Sequence, residues 1–147
     1  MDIIFKEISR LQLEEMADLY METFNATPWM DKWTKETALK RMEEMFALPD
    51  FYGICAYLDG GLCGMIFGNS ELYFDGVNFN IKEFCVKRNM QRGGLGTRIF
   101  VEFEERLKGM GIKEIILLTS KGQATEGFYL KQNVVTYDGM VVMGKRI

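Results

Sequence analysis

Histidine is absent from the 147 residues of this sequence, and its absence excludes several kinds of chemistry. A Ser-His-Asp or Cys-His catalytic group cannot form, and neither can a zinc site with imidazole ligands. Any proton transfer must therefore use a carboxylate, a tyrosine, a lysine, a cysteine or a chain of water molecules. We expect no metal ion in this protein.

Long apolar runs and paired cysteines are missing as well. No stretch of about 18 apolar residues occurs, so we expect no transmembrane helix and no membrane partner. The N-terminus lacks a basic segment followed by a long apolar one, which argues against a signal peptide. The three cysteines, Cys55, Cys63 and Cys85, are odd in number, and none forms a Cys-x-x-Cys pair. We expect free thiols in a cytoplasmic protein.

The length fits one domain that covers residues 1–147, and 48% of the residues are apolar, enough for a substantial core. Charge is distributed unevenly along the chain. The first 78 residues carry 14 acidic and six basic side chains, whereas the remaining residues carry seven acidic and 12 basic ones. A basic half suits a polyanionic ligand and an acidic half suits a cationic one, although both sets would also serve simply to solvate the surface.

Apolar periodicity and turn residues predict a mixed α/β domain. Residues 51–86 favour three antiparallel strands, and residues 79–119 favour a strand, a right-handed crossover helix and a parallel strand. The predicted strands cover residues 3–7, 51–58, 62–71, 79–86 and 112–119, with a closing hairpin of 134–137 and 140–145 around Asp138-Gly139. The predicted helices cover residues 10–25, 34–49, 94–108 and 124–132, each end being approximate.

A basic, glycine-rich turn lies between the strand at 79–86 and the helix that follows it. Glycines there allow the backbone to approach a ligand, and several N–H groups can then point outward together. The positive end of the helix dipole lies behind them, so this turn suits a phosphate group. The turn consists of Gln91, Arg92, Gly93, Gly94, Leu95 and Gly96, and Thr97 follows it.

The spacing of this turn distinguishes three glycine motifs. The sequence contains no G-x-x-x-x-G-K-[ST] string, which excludes a P-loop, and the turn does not fit the G-x-G-x-x-G dinucleotide fingerprint. It matches [QR]-x-x-G-x-[GA] at every fixed position. In this motif, in the flanking strand and helix, and in the order of elements along the whole chain, the sequence resembles the GNAT superfamily of acetyl-CoA-dependent N-acetyltransferases.

The resemblance implies a donor and a way of holding it. The expected fold is a mostly antiparallel sheet with a central parallel strand pair and about four helices. The backbone from Gln91 to Thr97 would bind the pyrophosphate of coenzyme A, with Arg92 adding positive charge. The strand before the turn separates from the next parallel strand in this family, and pantetheine lies in the gap. Phe84, Cys85 and Val86 match that place, where a backbone N–H would polarise the thioester carbonyl.

The resemblance also implies a general acid. Tyr129 matches the family's tyrosine, whose phenol would protonate the departing thiolate. The alternative is a tyrosine whose ring simply packs under the cofactor. Two routes of transfer are open, direct attack by the amine in a ternary complex and a covalent acetyl-Cys85 intermediate. We favour direct transfer because Cys85 has no histidine partner to lower its pKa.

The acceptor amine must lose a proton before it attacks, and without histidine a carboxylate acting through water is the natural base. Glu83 is the first candidate for this base, or for a residue that binds the acceptor, because it lies on the strand next to the expected reaction site, directly before Phe84, Cys85 and Val86. Strand alternation could instead place Glu83 on a buried or solvated face of the sheet. Glu71 and Asp75 are weaker candidates for the same task.

The acceptor side is expected to include the first two helices and a loop that carries Trp29, Asp31 and Trp33. The two tryptophans either seal the core or wall a pocket whose Asp31 attracts a cation. We expect a small cationic amine and no nucleic acid, and the loop is reminiscent of aminoglycoside 6′-N-acetyltransferase-like members. A peptide or protein amine and a non-catalytic acyl-CoA sensor are the alternatives. Homodimers are common in the family, which makes a homodimer one expectation here.

Overall fold

The computed structural model describes residues 2–147, in which five strands and four α-helices surround two apolar cores. Two short 3₁₀ turns, Arg10–Gln12 and Arg88–Met90, precede the first and third helices. The strands are β1 (Ile3–Glu7), β2 (Phe51–Leu58), β3 (Gly61–Tyr73), β4 (Gly76–Val86) and β5 (Glu114–Leu117). The helices are α1 (Leu13–Phe24), α2 (Lys35–Phe46), α3 (Leu95–Gly109) and α4 (Glu126–Lys131). No helix of residues 2–147 has both the length and the apolarity that a membrane span requires.

The strands form one sheet in the order β1-β2-β3-β4-β5. The first four strands are antiparallel to their neighbours, whereas β4 and β5 are parallel and joined through α3. This arrangement confirms the predicted mixed α/β fold class with its parallel strand pair. The pair lies at one edge of the sheet among the described residues rather than at its centre.

The sheet separates two cores. On one face, α1 and α2 pack against side chains such as Met65 and Phe67. On the other face, α3 packs against side chains such as Ile66 and Phe79. Strand alternation produces this division, because successive residues such as Ile66 and Phe67 point to opposite faces of the sheet.

A bulge in β4 reverses that alternation between Ile81 and Glu83. Phe67 of β3 pairs with Glu83 and Gly68 pairs with Ile81, so Lys82 is an extra residue without a partner. Ile81 therefore points to the α3 core, whereas Glu83 and Cys85 share the α1/α2 face. A regular strand would have placed Ile81 and Glu83 on one face.

The prediction of a closing hairpin at 134–137 and 140–145 is wrong, because residues 134–147 form no strand. Val135 and Met140–Met143 are largely exposed. Side chains hold this segment instead, since the Tyr137 hydroxyl donates to Glu114 and the Thr136 hydroxyl donates to Glu126. Alternating apolar residues are a local signal, whereas a strand requires a partner, and β5 is four residues long with one edge unpaired.

Candidate functional site

A cleft of about 1160 Å³ opens where β4 and β5 separate. The two strands pair from Asn78 and Glu114 to Ile81 and Leu117, and β4 then continues to Val86 paired with β3 but not with β5. Residues 81–84 and 117–120 line the opening from its two sides. Side chains from both faces of the sheet can therefore reach one cavity.

The glycine-rich turn forms one end of this cleft. Arg92 and Gly94 have φ of 70° and 83°, in the left-handed region, and Gly94 is the N-cap of α3. The Gln91 side chain secures the turn, because its Nε2 donates to the Val86 carbonyl over 2.9 Å. No side chain caps α3, so the N–H groups of its first turn are available to a ligand.

Most of the residues predicted to bind the cofactor lie on the wall of this cleft. The predicted residues that line the cleft are Phe84, Val86, Gln91, Arg92, Gly94, Gly96 and Thr97. Gly93 lies outside the wall, and Leu95 is buried against α3-side core residues such as Ile99. Cys85 is also off the wall, with only 1% of its surface exposed.

The far end of α4 is tied to the turn. The Gln132 Nε2 donates to the Thr97 hydroxyl over 3.2 Å. A Cβ added at Gly96 would lie 3.3 Å from the Phe128 ring, so glycine there allows α4 to approach α3 closely. This contact places Tyr129, the next residue on α4, in the cleft.

Tyr129 lies in a cluster of aromatic rings. Its ring centre is 5.3 Å from that of Phe128, 6.0 Å from that of Phe100 and 6.4 Å from that of Phe84. Burial raises the pKa of the Tyr129 phenol, and the neighbouring Cys85 and Glu83 raise it further. The hydroxyl therefore keeps its proton at neutral pH and can donate it to a developing anion.

Glu83 reaches the same cleft from the α1/α2 face of the sheet. Its side chain is 13% exposed, and burial raises the pKa of the Glu83 carboxyl. The nearby Tyr20 hydroxyl and the positive charge of Arg41 oppose that effect on the pKa, whereas the charge of Asp31 adds to it. A carboxyl group with a raised pKa at a cleft is typical of a general base.

Cys85 is poorly suited to a nucleophilic role. Complete burial raises the pKa of its thiol well above the ordinary value, and the charge of Glu83 raises it further. The Thr23 hydroxyl, which lowers that pKa, offsets only part of the effect. The thiol therefore stays protonated, and it does not line the cleft.

The residues predicted to bind the acceptor are not brought together. Trp29 lines the cleft, whereas Asp31 and Trp33 border a separate shallow depression, where the Trp33 indole donates to Asp31 over 3.1 Å. Glu71 accepts a hydrogen bond from Asn80, and Asp75 pairs with Lys113. Both of those carboxylates lie outside the cleft wall.

Three polar residues near Glu83 and Cys85 were missed from the sequence, namely Tyr20 and Thr23 on α1 and Arg41 on α2. The periodicity assigned Tyr20 to the apolar face of its helix, and Thr23 follows it by three residues. Arg41 offered the clearest signal, because it falls within the buried stripe of Ala38, Met42 and Met45. A basic residue in an apolar helical stripe indicates a buried partner.

The comparisons with known proteins agree with this architecture. The sequence profile of the Acetyltransferase (GNAT) family matches residues 13–133. A search of curated protein sequences gave no significant match.

Solved structures with 14–18% identity share the fold over nearly the whole chain. A possible acetyltransferase from Clostridium difficile 630 is 14% identical, with a TM-score of 0.82 over 99% of this chain and 98% of that one. An aminoglycoside acetyltransferase from an uncultured soil metagenomic sample, in complex with sisomicin, is 14% identical, with a TM-score of 0.71 over 99% and 95%. Glucosamine-6-phosphate N-acetyltransferase from Arabidopsis thaliana is 18% identical, with a TM-score of 0.68 over 99% and 99%. By its sequence profile, this chain belongs to the GNAT family of acetyltransferases.

Proposed function

We propose that this protein transfers an acetyl group from acetyl-CoA to a primary amine of a small cationic molecule, by direct attack in a ternary complex. One observation carries the proposal. The gap between β4 and β5 joins a glycine-rich turn suited to an anion, a buried carboxyl group and a buried phenol in a single cleft. Each could serve acyl transfer from coenzyme A to an amine, as a phosphate cradle, a base and an acid.

The turn at residues 91–96 fits the pyrophosphate of coenzyme A. Gly94 faces the cleft, and a Cβ there would meet no atom within 4 Å, so the backbone borders open space. The first N–H groups of α3 and the Arg92 side chain would hold the phosphates. Acetyl-CoA, which GNAT enzymes use, supplies the thioester when it is bound.

Glu83 and Tyr129 would move the two protons that the reaction requires. Glu83 accepts one proton from the ammonium form of the acceptor, through water, and the freed nitrogen then forms the new C–N bond as the C–S bond breaks. Tyr129 donates its phenolic proton to the sulfur that leaves, and the second proton that the nitrogen loses as the amide forms restores the Tyr129 phenol through water. The proton held by Glu83 returns to solvent. Backbone N–H groups of Phe84, Cys85 or Val86 would stabilise the oxyanion that forms on the carbonyl.

The surroundings of the acceptor favour a cation. Glu83 supplies negative charge at the reaction site, and Trp29 provides an aromatic face on the same cleft. The acidic first half of the chain would attract positively charged molecules. Because sisomicin is bound by one structural neighbour, aminoglycosides belong beside polyamines among the acceptors to test.

The test is thiol release from acetyl-CoA in the presence of a panel of amines that includes sisomicin and spermidine. Turnover with at least one amine is expected. Tyr129→Phe should lower kcat by about 10²–10⁴-fold with coenzyme A affinity unchanged, as loss of a general acid requires. Unchanged turnover in this variant would exclude the acid role of Tyr129. Normal coenzyme A binding without turnover of any amine would favour the non-catalytic binder instead.

A further inference from the structure

Glu83 lies at the junction of three elements. It points from β4 toward α1 and α2, where Tyr20 and Arg41 approach its carboxylate. Arg41 Nη2 lies 3.9 Å from Glu83 Oε2, and the Arg41 side chain is 34% exposed. Glu83 itself belongs to the cleft wall, whereas Tyr20 and Arg41 lie behind it.

The ion pair is incompletely satisfied. A separation of 3.9 Å permits charge attraction but is too long for a hydrogen bond. Glu83 Oε2 and Arg41 Nε are both buried, and neither has a hydrogen-bond partner among the described residues. The Thr23 hydroxyl oxygen, one turn along α1 from Tyr20, is buried and unpartnered in the same way.

Such a cluster is a poor way to stabilise a fold. Buried charges cost free energy unless their geometry is good and their remaining hydrogen bonds are made, and apolar replacements are often neutral or stabilising. The position of this pair, directly behind a cleft, therefore indicates that it acts on the chemistry of Glu83.

We propose that Arg41 and Tyr20 are positioning residues, which together hold the Glu83 carboxylate in its ionised form and aimed at the cleft. The inference rests on the proposed function, in which Glu83 accepts the proton of the acceptor amine. Neither Arg41 nor Tyr20 lines the cleft, so both act through Glu83.

The surroundings of Glu83 influence its ionisation in opposite directions. Burial has the largest influence and favours the neutral carboxyl group, as does the charge of Asp31 in the loop before α2. Tyr20 from α1 and Arg41 from α2 favour the carboxylate. Cys85 from the same strand and Tyr129 from α4 are both kept protonated, in part by the charge of Glu83, and add no charge of their own. Arg41 is thus the one cation in this set.

The central test compares pH profiles of kcat/KM for acetyl transfer to spermidine and sisomicin. Loss of the cation in Arg41→Met should raise the pKa of Glu83, so the acid limb of the profile should move to higher pH. For a shift of one pKa unit, the rate on that acid limb, at pH values below both pKa values, should fall by about tenfold. Arg41→Lys, which keeps the charge, should restore most of the rate. Tyr20→Phe should move the limb in the same direction.

A second arm separates positioning from general damage. In a Glu83→Gln background, Arg41→Met should have no further effect on the rate, because the two residues act as one unit. Coenzyme A affinity, measured by calorimetry, should be equal in all these variants. An unshifted acid limb in Arg41→Met, or an equal loss in the Glu83→Gln background, would overturn the inference.

The final arm does not depend on turnover. The carboxyl carbon of Glu83, labelled with ¹³C, should titrate at higher pH in Arg41→Met than in the wild type. Equal titrations would refute the coupling of Arg41 to Glu83 even in an active enzyme. Conversely, a shifted titration in a protein that acetylates no amine of the panel would refute the proposed function and leave the coupling established.

Discussion

Gly94→Glu gives the sharpest test of the coenzyme A site, because its two effects can be separated. Gly94 has φ of 83°, a conformation that costs a residue with a Cβ roughly 1–2 kcal/mol. A Cβ at this position meets nothing within 4 Å, so no clash adds to that strain. Gly94→Ala and Gly94→Glu should therefore lose about the same 1–2 kcal/mol of stability in urea denaturation.

The two variants should differ in binding. A glutamate at the N-cap of α3 places a negative charge beside the bound phosphates. At about 5 Å and an effective dielectric constant of about 20, two unit charges repel by about 3 kcal/mol. The Kd for coenzyme A should therefore rise by about a hundredfold in Gly94→Glu relative to Gly94→Ala.

Isothermal calorimetry of coenzyme A on the folded variants is the assay. Gly94→Asn is the matched control, because asparagine tolerates the left-handed conformation and fills similar space without charge. Equal affinities for the Glu and Asn variants would show that the phosphates do not lie at this turn. A loss of affinity shared by all three variants would point to the backbone conformation instead.

Three further predictions concern the fold and the route of transfer. Cys85→Ala should keep kcat within a few-fold, because the proposed transfer does not use the thiol, and it should lose about 1 kcal/mol of stability. Abolished turnover with normal coenzyme A binding would favour the covalent route instead. Phe103→Ala should lower the free energy of unfolding by about 3–5 kcal/mol in denaturant titrations. The Phe103 ring is buried, and its centre lies 5.8 Å from that of Tyr52 and 5.3 Å from that of Phe79. A loss below about 1 kcal/mol would contradict that packing. Gly68→Ala should prevent stable folding, because the added Cβ would lie 1.8 Å from the Asn80 carbonyl oxygen. Gly109→Ala is the control and should be neutral or stabilising, because a Cβ there meets no atom within 4 Å. Similar melting curves for the two variants, followed by circular dichroism, would refute the clash.

Local patterns predicted much of the framework. The turn between β2 and β3 has positive φ at both Asp59 and Gly60, which an Asp-Gly hairpin turn favours. The side chains of Ser9 and Thr34, both favoured N-cap residues, cap the turn and the helix that they precede. The glycine-rich turn at residues 91–96 was also predictable, since it is contiguous in sequence. Its glycines report on backbone conformation, which is a property of neighbouring residues alone.

The cluster around Glu83 was less predictable, because it depends on contacts between distant residues. Arg41 and Glu83 are far apart in sequence, and the two helices that bring Tyr20 and Arg41 to the sheet must pack before the cluster exists. The conformation of residues 134–147 likewise depends on whether they can pair with β5. Neither the cluster around Glu83 nor this strand pairing can be predicted from neighbouring residues alone.

The extra residue in β4 has a consequence for how the two halves of that strand can vary. Upstream of Lys82, odd-numbered positions such as Phe79 and Ile81 face α3, whereas downstream the odd-numbered Glu83 and Cys85 face α1 and α2. In the two halves of β4, odd-numbered residues therefore point to opposite faces of the sheet. Deleting Lys82 would place Glu83 directly after Ile81 and make the alternation regular, and Glu83 would still point to the α1/α2 face. A regular strand that kept Lys82 would instead turn Glu83 into the α3 core.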